Sequence, residues 1–191
     1  MVNYTVNSDI RTKTIFTIAA LSIVTTGTVS NFLTTLSFNA SCPSAFAIFG
    51  SYLWLFDRFI WRWPLIRKLH GIPYLGGEWK GRVRRPDSSG NIVDSQVSAF
   101  VQQTWTQIQL EIVGEQSRSI IRSLSMNVAP LSRKSLIYIY EVHPRAEMIG
   151  RNVRGDGCQE LLLVDKDIME GGYFSSKLRG GSLILKRNSI H

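Results

Sequence analysis

Five side chains in the second half of the chain have the types and spacing needed to hold a flat, anionic ligand. Tyr138 and Tyr140 lie two residues apart, so they share one face of a strand. Tyr173 and Ser175 repeat that spacing further along, and Arg179 follows them. Aromatic rings stack on planar bases, and arginine binds phosphate through paired hydrogen bonds. Tyrosines in strands also pack commonly in cores and at barrel rims, so core packing is the competing interpretation.

The usual catalytic and metal-binding patterns are missing from the sequence. It has no G-x-S-x-G elbow, no G-x-x-x-x-G-K phosphate loop and no histidine pair at metal-ligand spacing. His70, His143 and His191 are scattered, and Cys42 and Cys158 form no C-x-x-C pair. We therefore expect a protein that is not an enzyme and has neither metal nor cofactor.

The candidate ligand residues lie in a region where apolar and polar residues alternate, which is the pattern of half-buried β-strands. In Gln107–Ile112 every second residue is Ile or Leu, and Gln or Glu stands between them. Eight such segments follow one another: Gly77–Arg84, Gln96–Thr104, Thr106–Val113, Ser119–Val128, Ser135–His143, Cys158–Asp165, Met169–Lys177 and Ser182–Arg187. Eight antiparallel strands can close into a barrel that holds one small ligand, so we predict an all-β, lipocalin-like barrel, with a β-sandwich as the alternative.

The stretch before the strands is free of charge from Thr14 to Phe56. A charge at the centre of a bilayer costs about 2.5–3.5 kcal/mol on insertion scales, so a long uncharged run is typical of membrane segments. Turn-forming residues at 37–43 divide it, which predicts a transmembrane hairpin with helices at about 14–36 and 43–63. We place the domain boundary near Gly71, so that residues 1–71 form the hairpin and residues 72–191 form the barrel.

Three other interpretations of the apolar stretch compete with the hairpin. A secretory signal peptide is one, although its apolar core spans only about 7–15 residues. A buried hairpin of soluble helices is the second, and a single span followed by a re-entrant or interfacial segment is the third. Lys and Arg lie on both flanks of the stretch and none lies in its centre. By the positive-inside rule, both termini and the barrel are expected in the cytoplasm.

The net charge is +8, of which +4 lies in residues 1–71 and +4 in the remainder. Basic residues beside the apolar stretch suit an anionic membrane surface. The excess in the strand region is too small to predict binding to DNA or RNA, but it suits a small anionic ligand.

Several short motifs follow the N-terminal hairpin in a fixed order: P-x-L-G-G-E-W-K-G at 73–81, Q-T-W at 103–105, Y-x-Y-x-x-x-P at 138–144, G-G-Y-F at 171–174 and R-G-G at 179–181. Together with the hairpin, they resemble the two-transmembrane, β-rich effectors of bacterial CBASS anti-phage systems. The resemblance covers nearly the whole chain through the order and spacing of these motifs. It implies a cytoplasmic barrel that senses a cyclic dinucleotide, oligomerises and disrupts the bacterial inner membrane, which kills the infected cell.

The resemblance also extends the set of candidate ligand residues. Gln103 and Trp105 belong to one of its motifs, and Ser123 and Ser125 could add hydroxyl donors on a neighbouring strand. Trp79 is expected to plug one end of the barrel instead. The alternative function is a membrane-tethered barrel that binds or scaffolds a lipid or protein partner without disrupting the membrane.

Overall fold

The computed structural model describes residues 1–35, 43–87, 89–129, 133–145, 155–176 and 179–188, and the side chain of Arg179 lies outside that description. The chain divides into two compact units. One combines Met1–Asn7 with the chain from Ile72 onward, and the other is Ser8–Gly71. Cys42 and most of the turn predicted at 37–43 lie outside the described residues.

The first unit is a closed β-barrel whose strand order is β1-β4-β3-β2-β9-β8-β7-β6-β5. The closed order confirms the predicted barrel and excludes the sandwich. The nine strands of the described chain are β1 (Val2–Val6), β2 (Gly77–Pro86), β3 (Ile92–Gln103), β4 (Gln107–Gly114), β5 (Ser117–Asn127), β6 (Ser135–Pro144), β7 (Gly155–Asp165), β8 (Ile168–Ser175) and β9 (Arg179–Arg187). The predicted count of eight is wrong because β1 was not recognised as a strand.

Strand β1 lies in a wedge-shaped gap that opens between β4 and β5. These two strands pair directly only near the turn that joins them, from Glu111↔Ile120 to Val113↔Arg118. Further along they separate, and β1 pairs antiparallel with β4 through Val2↔Ile108 and parallel with β5 through Tyr4↔Leu124. The barrel is therefore closed at that end by a strand distant in sequence from both of its neighbours.

Aromatic residues close one end of the barrel. Trp79, Trp105 and Tyr4 are fully buried there, and the Trp79 indole Nε1 donates a hydrogen bond to the Leu75 carbonyl at 2.9 Å. The Arg187 guanidinium lies 4.5 Å from the centre of the Trp79 ring, a distance at which cation–π attraction is favourable. The predicted structural role of Trp79 agrees with this arrangement.

The second unit contains α1 (Ile10–Thr35), α2 (Ala45–Arg58), a short 3-10 helix (Ile60–Arg62) and α3 (Pro64–His70). The predicted second span at 43–63 is therefore not one helix. The Ser44 side chain caps the start of α2 by accepting a hydrogen bond from the Ala47 amide. Before Pro64, Trp63 takes the extended conformation that a following proline imposes, with ψ of 139°. The 14 residues of α2 extend only about 21 Å, against a hydrocarbon core of about 30 Å.

Among the described residues, α1 is the one helix long and apolar enough to cross a membrane. Its 26 residues extend about 39 Å. Seven of its threonine hydroxyls donate to the carbonyl four residues earlier, which satisfies them inside the helix: Thr14, Thr17, Thr25, Thr26, Thr28, Thr34 and Thr35. Its length and composition fit a membrane span and equally a signal sequence.

Candidate functional site

The barrel contains a cavity of about 230 Å³ at the end opposite the aromatic closure. Its lining comes from the ends of eight strands, β2 to β9, and mixes aliphatic side chains with tyrosines and serines. Strand alternation explains the lining, because every second residue of a barrel strand faces inward. On β3, Val97, Ala99 and Val101 are buried, as the sequence pattern predicted, and Val97 lines the cavity.

Two tyrosines form much of the aromatic surface of the cavity, and each lies opposite a glycine on the next strand. Tyr140 pairs with Gly157 across β6 and β7, and Tyr173 pairs with Gly181 across β8 and β9. A Cβ added at Gly157 would overlap the Tyr140 ring, and one added at Gly181 would lie 2.7 Å from Tyr173. The two glycines therefore make room for the rings beside the neighbouring strand.

Tyr138 lies on the same face of β6 as Tyr140 but deeper in the barrel, where it is 1% exposed. Its hydroxyl donates a hydrogen bond of 2.7 Å to Oε1 of Gln159, and Gln159 lines the cavity. The Tyr138 and Tyr140 ring centres are 6.1 Å apart. Burial raises the pKa of Tyr138 well above its ordinary value and raises the pKa of Tyr140 to about 12. Both rings therefore carry a neutral hydroxyl at physiological pH.

The mouth of the cavity carries the charged groups of the lining, Arg85 and Glu115, both exposed to solvent. Along β2 every second residue from Trp79 faces inward, through Gly81 and Val83. Arg85 is the next in that series, so it lies on the inward face where the strand leaves the barrel. In the described part of the chain no carboxylate forms an ion pair with it. This guanidinium is available to an anionic group that enters the mouth.

The structure brings three of the predicted ligand residues together at the cavity: Tyr140, Tyr173 and Ser175. Tyr138 lies beneath them through its contact with Gln159. The backbone of Arg179 pairs with Ser175 at the same end of the barrel.

Four predicted ligand residues lie elsewhere. Gln103 and Trp105 are buried at the closed end, where Gln103 Oε1 accepts a hydrogen bond from the Leu75 amide at 2.8 Å. Ser123 and Ser125 are exposed on the outside of β5. The structure thus separates these four from the cavity.

A β-bulge explains both the position of Ser123 and the lining residues that sequence reasoning missed on β5. The register between β5 and β6 shifts between Ile121 and Ser123. A bulge adds one residue to a strand and so reverses the inside–outside alternation beyond it. Before the bulge, Ser117 and Ser119 line the cavity; after it, Leu124 and Met126 face inward. A bulge has no reliable sequence signal, but Arg85 could have been found by extending the alternation from Trp79.

No group of three or more His, Cys, Asp or Glu residues that could hold a metal ion occurs within the described ranges. Cys158 is a free, exposed thiol on β7. What the cavity offers a ligand is stacking surface, hydroxyl and amide groups, and one cation at the mouth.

Comparisons with known proteins identify relatives of this chain. Residues 70–187, which include β2 to β9, match the family model described as Cap15, cyclic dinucleotide receptor domain. CD-NTase-associated protein 15 from Staphylococcus schleiferi is 23% identical over 133 residues, covering 69% of this chain and 70% of that protein. The family model thus matches more than half of the chain and the whole of the cavity.

Proposed function

The chain belongs to the Cap15 cyclic dinucleotide receptor family, and from that premise we propose that it binds a cyclic dinucleotide at the open end of its barrel and acts as an effector of CBASS anti-phage defence. The observation that supports the site most directly is the cavity itself. It combines Tyr140 and Tyr173 with serines and with Arg85 at the mouth. Those groups match the bases, hydroxyls and phosphates of such a ligand.

The size of the cavity constrains how the ligand binds. Pockets that enclose drug-sized ligands span about 300–1,000 Å³, whereas this cavity measures about 230 Å³. In our proposal one base enters between the tyrosines, and the sugar–phosphate ring stays at the mouth. Arg85 then contacts a phosphate, and a charge-assisted hydrogen bond of this kind contributes about 1.5–3 kcal/mol.

We further propose that the helical unit anchors the protein in the bacterial inner membrane. In this topology α1 crosses the bilayer, and the segment that contains α2 returns the chain to the cytoplasmic side. Basic residues precede α1 at Arg11 and Lys13 and follow α2 from Arg58 onward, which favours cytoplasmic positions for both ends.

We assign the barrel no catalytic group, so the bound ligand must act by shifting an equilibrium between states of the protein. We propose that the ligand favours an assembled state in which several helical units together disrupt the membrane. Moving an equilibrium from 1:99 to 99:1 requires about 5.5 kcal/mol of preference for the assembled state. Several protomers that each contribute a kilocalorie or two can supply that amount.

The test uses full-length protein in detergent and in vesicles that contain a fluorescent dye. Cyclic dinucleotide should increase the mass measured by light scattering and should release the dye. Val24 lies at the centre of α1 and is 66% exposed, so Val24→Lys should abolish dye release and leave ligand binding intact. Unchanged mass together with ligand-dependent leakage would remove assembly as the switch.

A membrane-tethered binding or scaffold protein is the competing function. The apolar surface of α1 supports it equally, because a single anchor would also place the barrel at the membrane. Ligand binding without leakage at any protein concentration would favour this alternative over membrane disruption.

A further inference from the structure

Two buried glutamines lie inside the barrel, one toward each end, and their amides are satisfied to different degrees. Gln103, 3% exposed, accepts from the Leu75 amide through Oε1 and donates from Nε2 to the Pro73 carbonyl at 3.2 Å. Gln159, 4% exposed, accepts from the Tyr138 hydroxyl through Oε1. Within the described chain its Nε2 is buried and has no hydrogen-bond partner.

The hydrogen bond with Tyr138 determines which atom of the Gln159 amide lacks a hydrogen-bond partner. If the phenol accepted from Nε2 instead, its own proton and the amide oxygen would both be buried without partners. With the phenol as donor, only Nε2 is unpaired. The distance of 2.7 Å between the two oxygens is also that of an ordinary O–H···O bond. Tyr138 therefore orients Gln159 as a hydrogen-bond donor in the cavity wall.

An unpaired buried donor costs free energy, and native proteins rarely retain one without a reason. Since Gln159 lines the cavity, a ligand that brings a hydrogen-bond acceptor to the inner part of the cavity would satisfy it. The ligand group that meets Nε2 of Gln159 must therefore be a hydrogen-bond acceptor.

The acceptor belongs to a base rather than to a phosphate. The charged lining residues Arg85 and Glu115 lie at the mouth, while the residues paired with Gln159 on the adjacent strands, Tyr138 and Tyr173, are neutral. Among the side chains that the structure describes, no cation lies beside Gln159, so a phosphate placed there would be a buried charge without a partner, which is strongly unfavourable. A base, in contrast, is planar and neutral and can stack on a tyrosine ring.

We propose that Gln159 selects the base that enters the cavity by donating from Nε2 to a carbonyl oxygen, so that uracil or guanine is preferred to adenine. Adenine has no carbonyl, and to accept from Nε2 at N1 or N7 it must direct its exocyclic amine at Oε1, which already accepts from Tyr138. A carbonyl oxygen takes the Nε2 hydrogen without that second contact. Tyr138 is the positioning residue that holds the amide in this orientation. This inference rests on the proposed function, because it assumes that a cyclic dinucleotide occupies the cavity.

The first test measures the affinity of the full-length protein in detergent for cyclic di-UMP, cyclic di-GMP and cyclic di-AMP by calorimetry. The wild type should bind at least one of the two carbonyl-bearing ligands tenfold or more tightly than cyclic di-AMP. In Gln159→Met the side chain keeps its length but cannot donate, so this preference should shrink at least tenfold. An unchanged preference in that variant would overturn the inference.

A second test separates recognition from structural support. The double variant Tyr138→Phe/Gln159→Met removes the hydrogen-bonded pair and the unpaired donor together, so its melting temperature should equal or exceed that of the wild type while the base preference is lost. The matched control is Gln103→Met, which breaks satisfied hydrogen bonds at the closed end. It should melt at a lower temperature and keep the base preference.

The outcomes distinguish this inference from the proposed function. If no cyclic dinucleotide binds the wild-type protein, both fail. If all three ligands bind equally and Gln159→Met changes nothing, the site stands and the role of Gln159 is refuted. A double variant that melts at a lower temperature and keeps its base preference would likewise mean that the pair is only structural.

Discussion

Gly157→Ala tests whether the position of Tyr140 controls ligand binding. The alanine Cβ would overlap the Tyr140 ring and lie 2.7 Å from the carbonyl oxygen of Phe174. The carbonyl belongs to the strand pairing of β7 with β8, so it cannot move far without disturbing the barrel wall. The Tyr140 side chain must therefore move out of its place over the neighbouring strand.

The magnitude follows from overpacking and from the lost stacking surface. Inserting a methyl group into a packed site costs about 1–3 kcal/mol of unfolding free energy. Each kilocalorie lowers the melting temperature by about 2–4 °C for a chain of this length. Stacking of a base on an aromatic ring contributes about 1–3 kcal/mol, so a displaced Tyr140 should weaken binding about fivefold to a hundredfold.

The assay combines thermal unfolding, followed by near-ultraviolet circular dichroism, with ligand calorimetry on the full chain in detergent. Gly172→Ala is the matched control, because its Cβ faces solvent and meets only the Gly181 carbonyl at an ordinary 3.7 Å. The control should keep wild-type affinity and melt within a few degrees of the wild type. Wild-type affinity in Gly157→Ala would refute the assigned role of Tyr140, and equal losses in both variants would show a general strand effect.

Three further predictions concern the stability of the barrel, each measured on the full chain in detergent. Trp79→Ala should lower the unfolding free energy by about 3–5 kcal/mol in chemical denaturation, because the side chain is fully buried and bonded to the Leu75 carbonyl; a loss below about 1 kcal/mol would contradict its role in the closure. Tyr4→Ala should cost a similar amount, since Tyr4 anchors β1 in the wedge, and an unchanged midpoint would show that β1 is dispensable. Burial raises the pKa of Tyr140 to about 12 and that of Tyr138 well above its usual range, whereas unfolded tyrosine titrates near 10. The stabilisation from the neutral phenols is thus complete below about pH 10 and is lost as the pH rises toward 12, so melting temperatures should fall across that interval, and a flat profile would refute the burial of these hydroxyls.

Much of the barrel could be predicted from alternation alone. The pattern in β3 and β4 predicted which residues are buried, because a strand with one face in a core repeats with a period of two. The same argument placed Tyr138 and Tyr140 on one inner face of β6. Arg85 follows from extending that argument by one more residue from Val83.

The features that could not be predicted depend on contacts between distant parts of the chain. Strand β1 is only five residues long, and its role arises only because β4 and β5 separate and leave a gap for it. Ser123 is exposed because a β-bulge, seen as a shift in the pairing of β5 with β6, reverses the inside–outside alternation of β5. Gln159 carried no sequence signal, because its importance comes from the hydroxyl of Tyr138 on the adjacent strand.

The most direct test of the proposed site compares two neighbouring residues on β8 by calorimetry of the full-length protein with a cyclic dinucleotide. Tyr173 lines the cavity, while Phe174 is 58% exposed on the outside of the barrel. The proposed site predicts that Phe174→Ala binds like the wild type and that Tyr173→Ala binds at least fivefold more weakly, the lower limit for one lost stacking contact. Equal affinity in all three proteins, or no binding of any cyclic dinucleotide to the wild type, would contradict it.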